Sequence, residues 1–520
     1  VLILACINFI NLSTAQAIGR AKEVGIRKTI GAGRFQLINQ FLSEALALVF
    51  LSAILGIFIV KISLPYINNL IGKEISFDLL RSPLLLFWLF IGIVSTALMA
   101  GIYPAWIITK FKPVTVLKSG SVNGSSGSSL LRKGLVVTQF SISICLLIAL
   151  LLIGKQMNYV QHKNLGFDKD NIVLIPLPDR NIDVVKQKKL LADELSAIPQ
   201  ISGWTFSTSP PSGGPDAHWG TVMSTKGNND PNQKHMAMMM TDDKFCELYN
   251  MHLVAGRFFT LADTSAVSQS LPDDQRFPKS VVNEKLIQEL GYASPQAALG
   301  KRFWAGMNGW HHEIIGEVKD FNISSLHDAI KPTLITQFSN YANMLNLKIK
   351  AGSDIPSTIA KINQAYKTAY PSGVFEINFL DQQLDALYKS DRRLYGLFKI
   401  FSLLAMLISC LGLWGLITFA AQQRIKEIGI RKVLGASVLS IVSMLTKDFI
   451  LLVCIAMAIA APLAYWGIYK WLQDFAFRIN IGWSMFIIAG TIAILIALIT
   501  VSFQAIKAAM ANPVKSLRTE

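Results

Sequence analysis

Residues 23–32, EVGIRKTIGA, return 404 residues later as 427–436, EIGIRKVLGA, with seven of the ten positions identical. A self-match this dense marks an internal duplication, so one structural unit must be built twice. In each copy an apolar run ends in basic residues: Arg20, Lys22, Arg27 and Lys28, then Arg424, Lys426, Arg431 and Lys432. A glycine three residues after the last Lys, Gly31 or Gly435, can take the left-handed conformation that ends a helix, and the cations face the negative end of the helix dipole. A flank obeying the positive-inside rule asks only for Lys or Arg. Agreement in Glu, Gly and Ala asks for more, and points to two like surfaces for a cytoplasmic partner. The candidate residues are Glu23, Gly25, Arg27, Lys28, Gly31 and Ala32, with Glu427, Gly429, Arg431, Lys432, Gly435 and Ala436.

The chain between and around these motifs reads as an α-helical membrane protein. It is 52% hydrophobic, its mean hydropathy is +0.42, and residues 82–109, 134–154, 400–423, 449–469 and 479–506 contain no Asp, Glu, Lys or Arg. Each reaches the ~20 residues needed to cross a bilayer core. Residues 1–19 and a segment centred on 45–60, lengthened by the apolar 35–43, are further candidates, giving seven expected spans. The net charge of +16 follows the same division. Residues 156–391 hold 22 basic against 25 acidic side chains, while the remainder holds 27 against 8. A nucleic-acid binder would concentrate cations on a soluble domain; here they sit in short loops beside spans, which sets topology.

Placing every strongly basic loop on the cytoplasmic side gives one orientation without contradiction. Residues 156–391 are then a large domain outside. The expected domains are a first repeat at 1–118, a Ser/Gly linker at 119–130, a spanning helix at 131–155, the outside domain at 156–391, and a second repeat at 392–520. Both repeats close on Pro-Val-x-x-Leu-basic, at Pro113 to Lys118 and Pro513 to Arg518. They have the same orientation, so the expected axis relating them runs along the membrane normal. The chain starts at Val1 inside an apolar segment, and the first repeat lacks the outside domain that precedes the second, so an upstream span and domain are expected to be missing.

The outside domain reads as mixed α/β. Two β-α-β patterns, at 172–207 and 345–379, flank an expected insertion at 242–338, and a helical stalk at 382–399 leads into the next span. Catalytic signals are weak. The Gly-Lys pairs at Gly72, Gly154 and Gly300 lack the residues of a phosphate-binding loop. His311, His312 and Glu313 resemble a metal site without a second ligand cluster, and an exposed strand or turn is expected instead. Four of five Cys lie in spans, leaving Cys246 without a partner in the outside domain. No span has an ionisable residue near its middle, which disfavours a proton relay or ion-coupled carrier. Asn8, Asn11 and Gln139 are expected to make interhelical hydrogen bonds. A membrane enzyme finds no support in these residues.

The repeated E-[VI]-G-I-R-K-x-[IL]-G-A motif, the Pro-Val-x-x-Leu tails, and the words at Val254-Ala-Gly-Arg-Phe, Val281-Val-Asn-Glu and Ile314-Ile-Gly-Glu-Val-Lys-Asp-Phe resemble the MacB/FtsX-type permeases of bacterial ABC transporters. The resemblance is to duplicated permeases without a fused ATPase. It implies two FtsX-like repeats and a MacB-like periplasmic core domain in the bacterial inner membrane. It also implies that the motifs dock a separate ABC ATPase, which binds ATP-Mg, and that residues 152–162 and 382–399 transmit its motion to the outside domain (mechanotransmission), for export or efflux of a substrate. A periplasmic adaptor and an outer-membrane channel are possible further partners by the same resemblance. No cofactor, metal or nucleic acid is expected on this chain, and no substrate-binding residue is assigned. A sensor or regulatory complex controlling an envelope enzyme, and a lipoprotein-release permease, stay open as alternatives.

Overall fold

A computed structural model describes residues 1–19, 21–72, 74–78, 82–110, 126–178, 184–213, 218–263, 277–306, 309–337 and 341–510. The chain order is α1 (Leu2–Gly19), α2 (Ala21–Thr29), α3 (Arg34–Ile71), α4 (Pro83–Lys110), α5 (Ser126–His162), β1 (Ile172–Pro176), α6 (Val184–Ser196), β2 (Ile201–Ser207), β3 (Trp219–Ser224) and β4 (Lys234–Thr241). It continues through α7 (Phe245–Leu248), β5 (Leu253–Gly256), β6 (Lys279–Asn283), α8 (Glu284–Leu290), α9 (Pro295–Ala298), β7 (Arg302–Ala305), β8 (Trp310–Val318), β9 (Thr333–Gln337), β10 (Met344–Ile349), α10 (Ile355–Ala369) and β11 (Asn378–Phe379). It ends with α11 (Leu380–Leu387), α12 (Lys389–Gln423), α13 (Ile425–Val433), α14 (Val438–Leu472) and α15 (Trp483–Met510).

Two compact units result. The first comprises Val1–Met157, Arg392–Leu472 and Ile479–Glu520. Five of its helices, α3, α5, α12, α14 and α15, are long and apolar enough to cross a bilayer, and α1 and α4 contain the shorter apolar stretches Leu2–Thr14 and Pro83–Met99 at the other two expected spans. The molecule is a membrane protein. Inside the bundle small residues set the spacing. On α15, Ala489, Ala493, Ala497 and Ala505 are buried, as are Ala456, Ala460 and Ala464 on α14. Recurrence at every fourth position makes a low ridge on each helix, which lets backbones approach where lipid supplies no hydrophobic drive. Two boundaries differ from the sequence expectation. Residues 126–129 of the Ser/Gly stretch extend α5 by a turn, because elongating an existing helix is far cheaper than starting one. Helix α3 runs on through Lys61 and Pro65 to a left-handed cap at Gly72, φ +61°. The closing tails at 113–118 and 513–518, with residues 119–125 of the linker, lie outside the described residues.

The second unit comprises Asn158–Asp391 and Gln473–Arg478. Strands β11-β1-β10-β2 form an antiparallel sheet in that order, and both helical crossovers, β1-α6-β2 and β10-α10-β11, skip one strand, a ferredoxin-like split arrangement. Leu191, Leu195, Ile362, Ala365 and Tyr366 of α6 and α10 bury their faces on Val173, Ile175, Leu345 and Leu347. The insertion starts earlier than expected, at β3. Its strands β4, β3, β7, β8, β6 and β9 pair in sequence, and a parallel pairing of β4 with β9 returns to the start, so six strands close on themselves. Met236, Met238, Met240, Phe303, Ile314 and Leu334 fill that core. The three sequence words of this region meet here: β5 and β6 both pair with β8. At Gly256, φ +78°, a Cβ would stand 2.2 Å from the Ile315 carbonyl, and on Gly316 it would stand 2.3 Å from that of Arg257, so both positions require glycine.

The His pair departs from its expected exposure. Strand alternation sends His311 out and His312 into the core, where its Nδ1 lies 2.9 Å from Ser280 Oγ. Burial pushes the His312 pKa down to about 3, so the ring is neutral. The expected stalk is helical but breaks at Tyr388, whose hydroxyl accepts from the Leu326 amide at 2.8 Å.

Candidate functional site: the two motif helices

Each motif folds as a nine-residue helix, α2 or α13, rather than the short turn its length suggests. The helices end identically. The Ala32 amide donates to the Arg27 carbonyl at 2.9 Å and the Gly31 amide to Lys28 at 3.1 Å; Ala436 donates to Arg431 at 2.9 Å and Gly435 to Lys432 at 3.1 Å. Gly31 and Gly435 have φ of +99° and +88°. This double bond pattern around a left-handed residue is a Schellman cap, and it explains why Gly and Ala recur together.

The charged residues are set by the same helical geometry. Arg27 Nη2 lies 2.7 Å from Glu23 Oε1, and Arg431 Nη2 lies 2.8 Å from Glu427 Oε1. Both are i,i+4 pairs between exposed side chains, worth only about 0.3–0.5 kcal/mol; their effect is to hold each guanidinium in one direction. The other arm of Arg27 donates to Gln40 Oε1 at 2.7 Å, and that of Arg431 to the sulfur of Met444. Gln40 and Met444 are themselves 404 residues apart. Beneath the helices Val24 and Leu37 are buried in one copy, as are Ile428 and Ile441 at the same offset in the other. Lys28 donates to the Thr109 carbonyl, and burial, then Arg34, lowers its pKa.

Sequence reading missed the apolar part of this surface. Ile30 and Phe35 are each 81% exposed, and their counterparts Leu434 and Leu439 are 79% and 82% exposed. Ile26 and Ile430 add a third matched pair. The 404-residue offset could have revealed them, because large apolar residues recur where the helix cap turns the chain outward. Among the described residues no group of three or more His, Cys, Asp or Glu side chains could hold a metal ion. Burial pushes the Cys246 thiol far up, which leaves it inert as a nucleophile.

Both repeats match the family model for the FtsX-like permease C-terminal domain, over residues 1–113 and 399–513. The macrolide export ATP-binding/permease protein MacB of Syntrophobacter fumaroxidans is 27% identical over 120 residues, 22% of this chain and 16% of that protein. An uncharacterized ABC transporter permease of Methanocaldococcus jannaschii is 24% identical over 225 residues, 40% of this chain and 53% of that one. The chain therefore spans about half or less of the length of these relatives. Among solved structures, the periplasmic region of MacB from Actinobacillus actinomycetemcomitans aligns at 15% identity over 44% of this chain and 96% of its own, with a TM-score of 0.29. The extracellular domain of the ABC-type transporter YknZ from Gram-positive bacteria aligns at 12% identity over 40% and 100%, with a TM-score of 0.28. With one FtsX-like permease segment at each end, carrying the same charged helix and the same glycine cap, the chain is similar to the FtsX/MacB-type ABC permeases in both repeats.

Proposed function

We propose that this chain is the membrane subunit through which a separate ATPase, holding ATP-Mg, drives movements of an extracytoplasmic domain for export or release of a substrate. In this reading α1 and α4 complete seven spans, residues 156–391 lie outside the bacterial cytoplasmic membrane, and α2 and α13 dock the ATPase. The observation that carries it is the doubled surface: two capped helices, each presenting an oriented Arg beside exposed apolar residues, Ile30 and Phe35 or Leu434 and Leu439. Exposed Ile, Leu and Phe next to a fixed cation suit a partner groove with acidic and apolar walls. A membrane flank alone would need only the charge.

The test is capture of the ATPase by the permease in detergent, together with ATP hydrolysis. Reversal at both copies, Arg27→Glu with Arg431→Glu, is expected to weaken capture roughly tenfold or more through like-charge contact. Ile30→Ser with Leu434→Ser should weaken it without changing its salt dependence. Full swaps, Glu23→Arg/Arg27→Glu and Glu427→Arg/Arg431→Glu, restore the intrahelical pairs and should still fail. Capture and hydrolysis indifferent to all three sets would return α2 and α13 to the status of topogenic flanks.

A further inference from the structure

Where α13 begins, helices α5, α12 and α14 leave a cavity of about 150 Å³. Its rim carries Arg132 and Lys133 from α5 and Arg424, the residue preceding α13, against Asp448 from α14. Three cations thus face one carboxylate. The Arg424–Asp448 separation is 3.9 Å, a loose pair that leaves the rim positive. The walls are apolar, with Phe419 from α12 and Phe449 from α14, and the Arg132 guanidinium stands 5.9 Å from the centre of the Phe419 ring. The uncharged run of α5 starts at residue 134, that of α12 stops at 423 and that of α14 starts at 449. The cavity therefore straddles the depth at which hydrocarbon gives way to headgroups.

We propose that this cavity is a site for an anionic phospholipid, its phosphodiester among Arg132, Lys133 and Arg424 and its acyl chains along the wall made by Phe449. Charge complementarity selects the headgroup, and the apolar wall selects a lipid over a free anion. The positive-inside rule accounts for cations on each helix separately; it requires neither their convergence from three segments nor a cavity between them. The inference is independent of which partner α13 docks.

The experiment is native mass spectrometry of the full chain in neutral detergent, offered phosphatidylglycerol, phosphatidylcholine or glycerol 3-phosphate. Phosphatidylglycerol should be retained in preference to phosphatidylcholine, and glycerol 3-phosphate should not displace it. Arg132→Gln/Lys133→Gln should lower retention roughly tenfold or more, whereas Arg34→Gln/Lys507→Gln, which removes equal charge away from the cavity, should not. Phe449→Ser keeps every cation and should also release the lipid. Equal losses in both double variants, retention undiminished by Phe449→Ser, or displacement by glycerol 3-phosphate would each overturn the proposal. Melting temperatures matching the unmodified chain in neutral detergent separate loss of the site from loss of the fold.

Discussion

At the offset that relates the two motifs, Asn8 of α1 corresponds to Gly412 of α12, and these two positions stand against each other: a Cβ on Gly412 would lie 2.7 Å from Asn8 Oδ1. One turn on, a Cβ on Gly415 would lie 2.1 Å from Leu12 Cδ2. The first helices of the two repeats therefore cross at equivalent positions, as a two-fold relation requires. Away from that crossing the repeats diverge. Helix α5 is seated on the second repeat, with the Ser143 and Ser409 hydroxyls 2.7 Å apart and Gln139 Nε2 donating to the Ile408 carbonyl at 3.2 Å. The most apolar stretch of α3 in the first repeat is 6% buried, against 28% for its counterpart α14. Identical motif helices on differently packed bundles teach that the strictest requirement lies at the helix ends. Packing inside the apolar layer needs only small and apolar residues and can drift.

The crossing offers the largest test of that relation. Gly412→Val places two methyl groups against Asn8 Oδ1 and Gln139 Nε2, and overpacking of this kind costs about 1–3 kcal/mol. A lower melting temperature of the full chain in detergent is the expected outcome. Asn8→Gly makes the seam symmetric and removes a buried carbonyl oxygen that has no hydrogen-bond partner, so it should suppress part of the Gly412→Val penalty. A Gly412→Val chain that melts unchanged, with or without Asn8→Gly, would mean that α1 and α12 do not cross at these residues.

The caps test the opposite side of the comparison, where the copies should be interchangeable. A Cβ at Gly31 or Gly435 meets nothing within 4 Å, so Gly→Ala at either position perturbs the backbone alone. Forcing Ala into a left-handed conformation costs about 1 kcal/mol. Hydrogen exchange at the Ala32 and Ala436 amides, which close the caps, should accelerate roughly fivefold, and by the same factor in both copies. A clear difference between copies would show that one cap is held by contacts beyond its own backbone.

Legibility in the sequence followed how local each cause is. The glycine that caps each motif and the strands and helices of the two β-α-β units were readable because each depends on residues a few positions apart, and the duplication because a ten-residue word recurs. Closure of six strands was not, since it rests on the parallel pairing of Met238 with Leu334 and its neighbours, nearly a hundred residues distant. For the same reason β3 and β4 fall before residue 242, where the insertion was expected to start. His311 and His312 were expected to be exposed together because no second ligand cluster accompanies them; strand alternation, invisible until β8 is recognised, puts one ring in the core and the other in solvent. In the motifs, charge drew attention to Arg27 and Arg431, while Ile30 and Leu434 passed as ordinary apolar residues. Their exposure becomes meaningful only once the cap turns them away from the bundle.

The seat of α5 on the second repeat is the smallest effect and the one that most directly separates the repeats. Ser409 corresponds to Ala5 in α1, so the first repeat lacks the hydroxyl to which Ser143 is bound. Hydrogen bonds between helices in a membrane average about 0.6 kcal/mol in double-mutant cycles, because the unpaired hydroxyl can turn to its own helix backbone. Here Ser143 already has the Ala405 carbonyl at 3.2 Å as a second partner. A cycle of Ser143→Ala and Ser409→Ala, read as steric-trapping or thermal stability in detergent, should thus return a coupling of about that size or less. Adding Ala5→Ser should not change it, since the Ser143 hydroxyl already has both its partners, Ala405 and Ser409, on the second repeat. Coupling between Ser143 and a serine at position 5 would instead place α5 in reach of both repeats and erase the asymmetry.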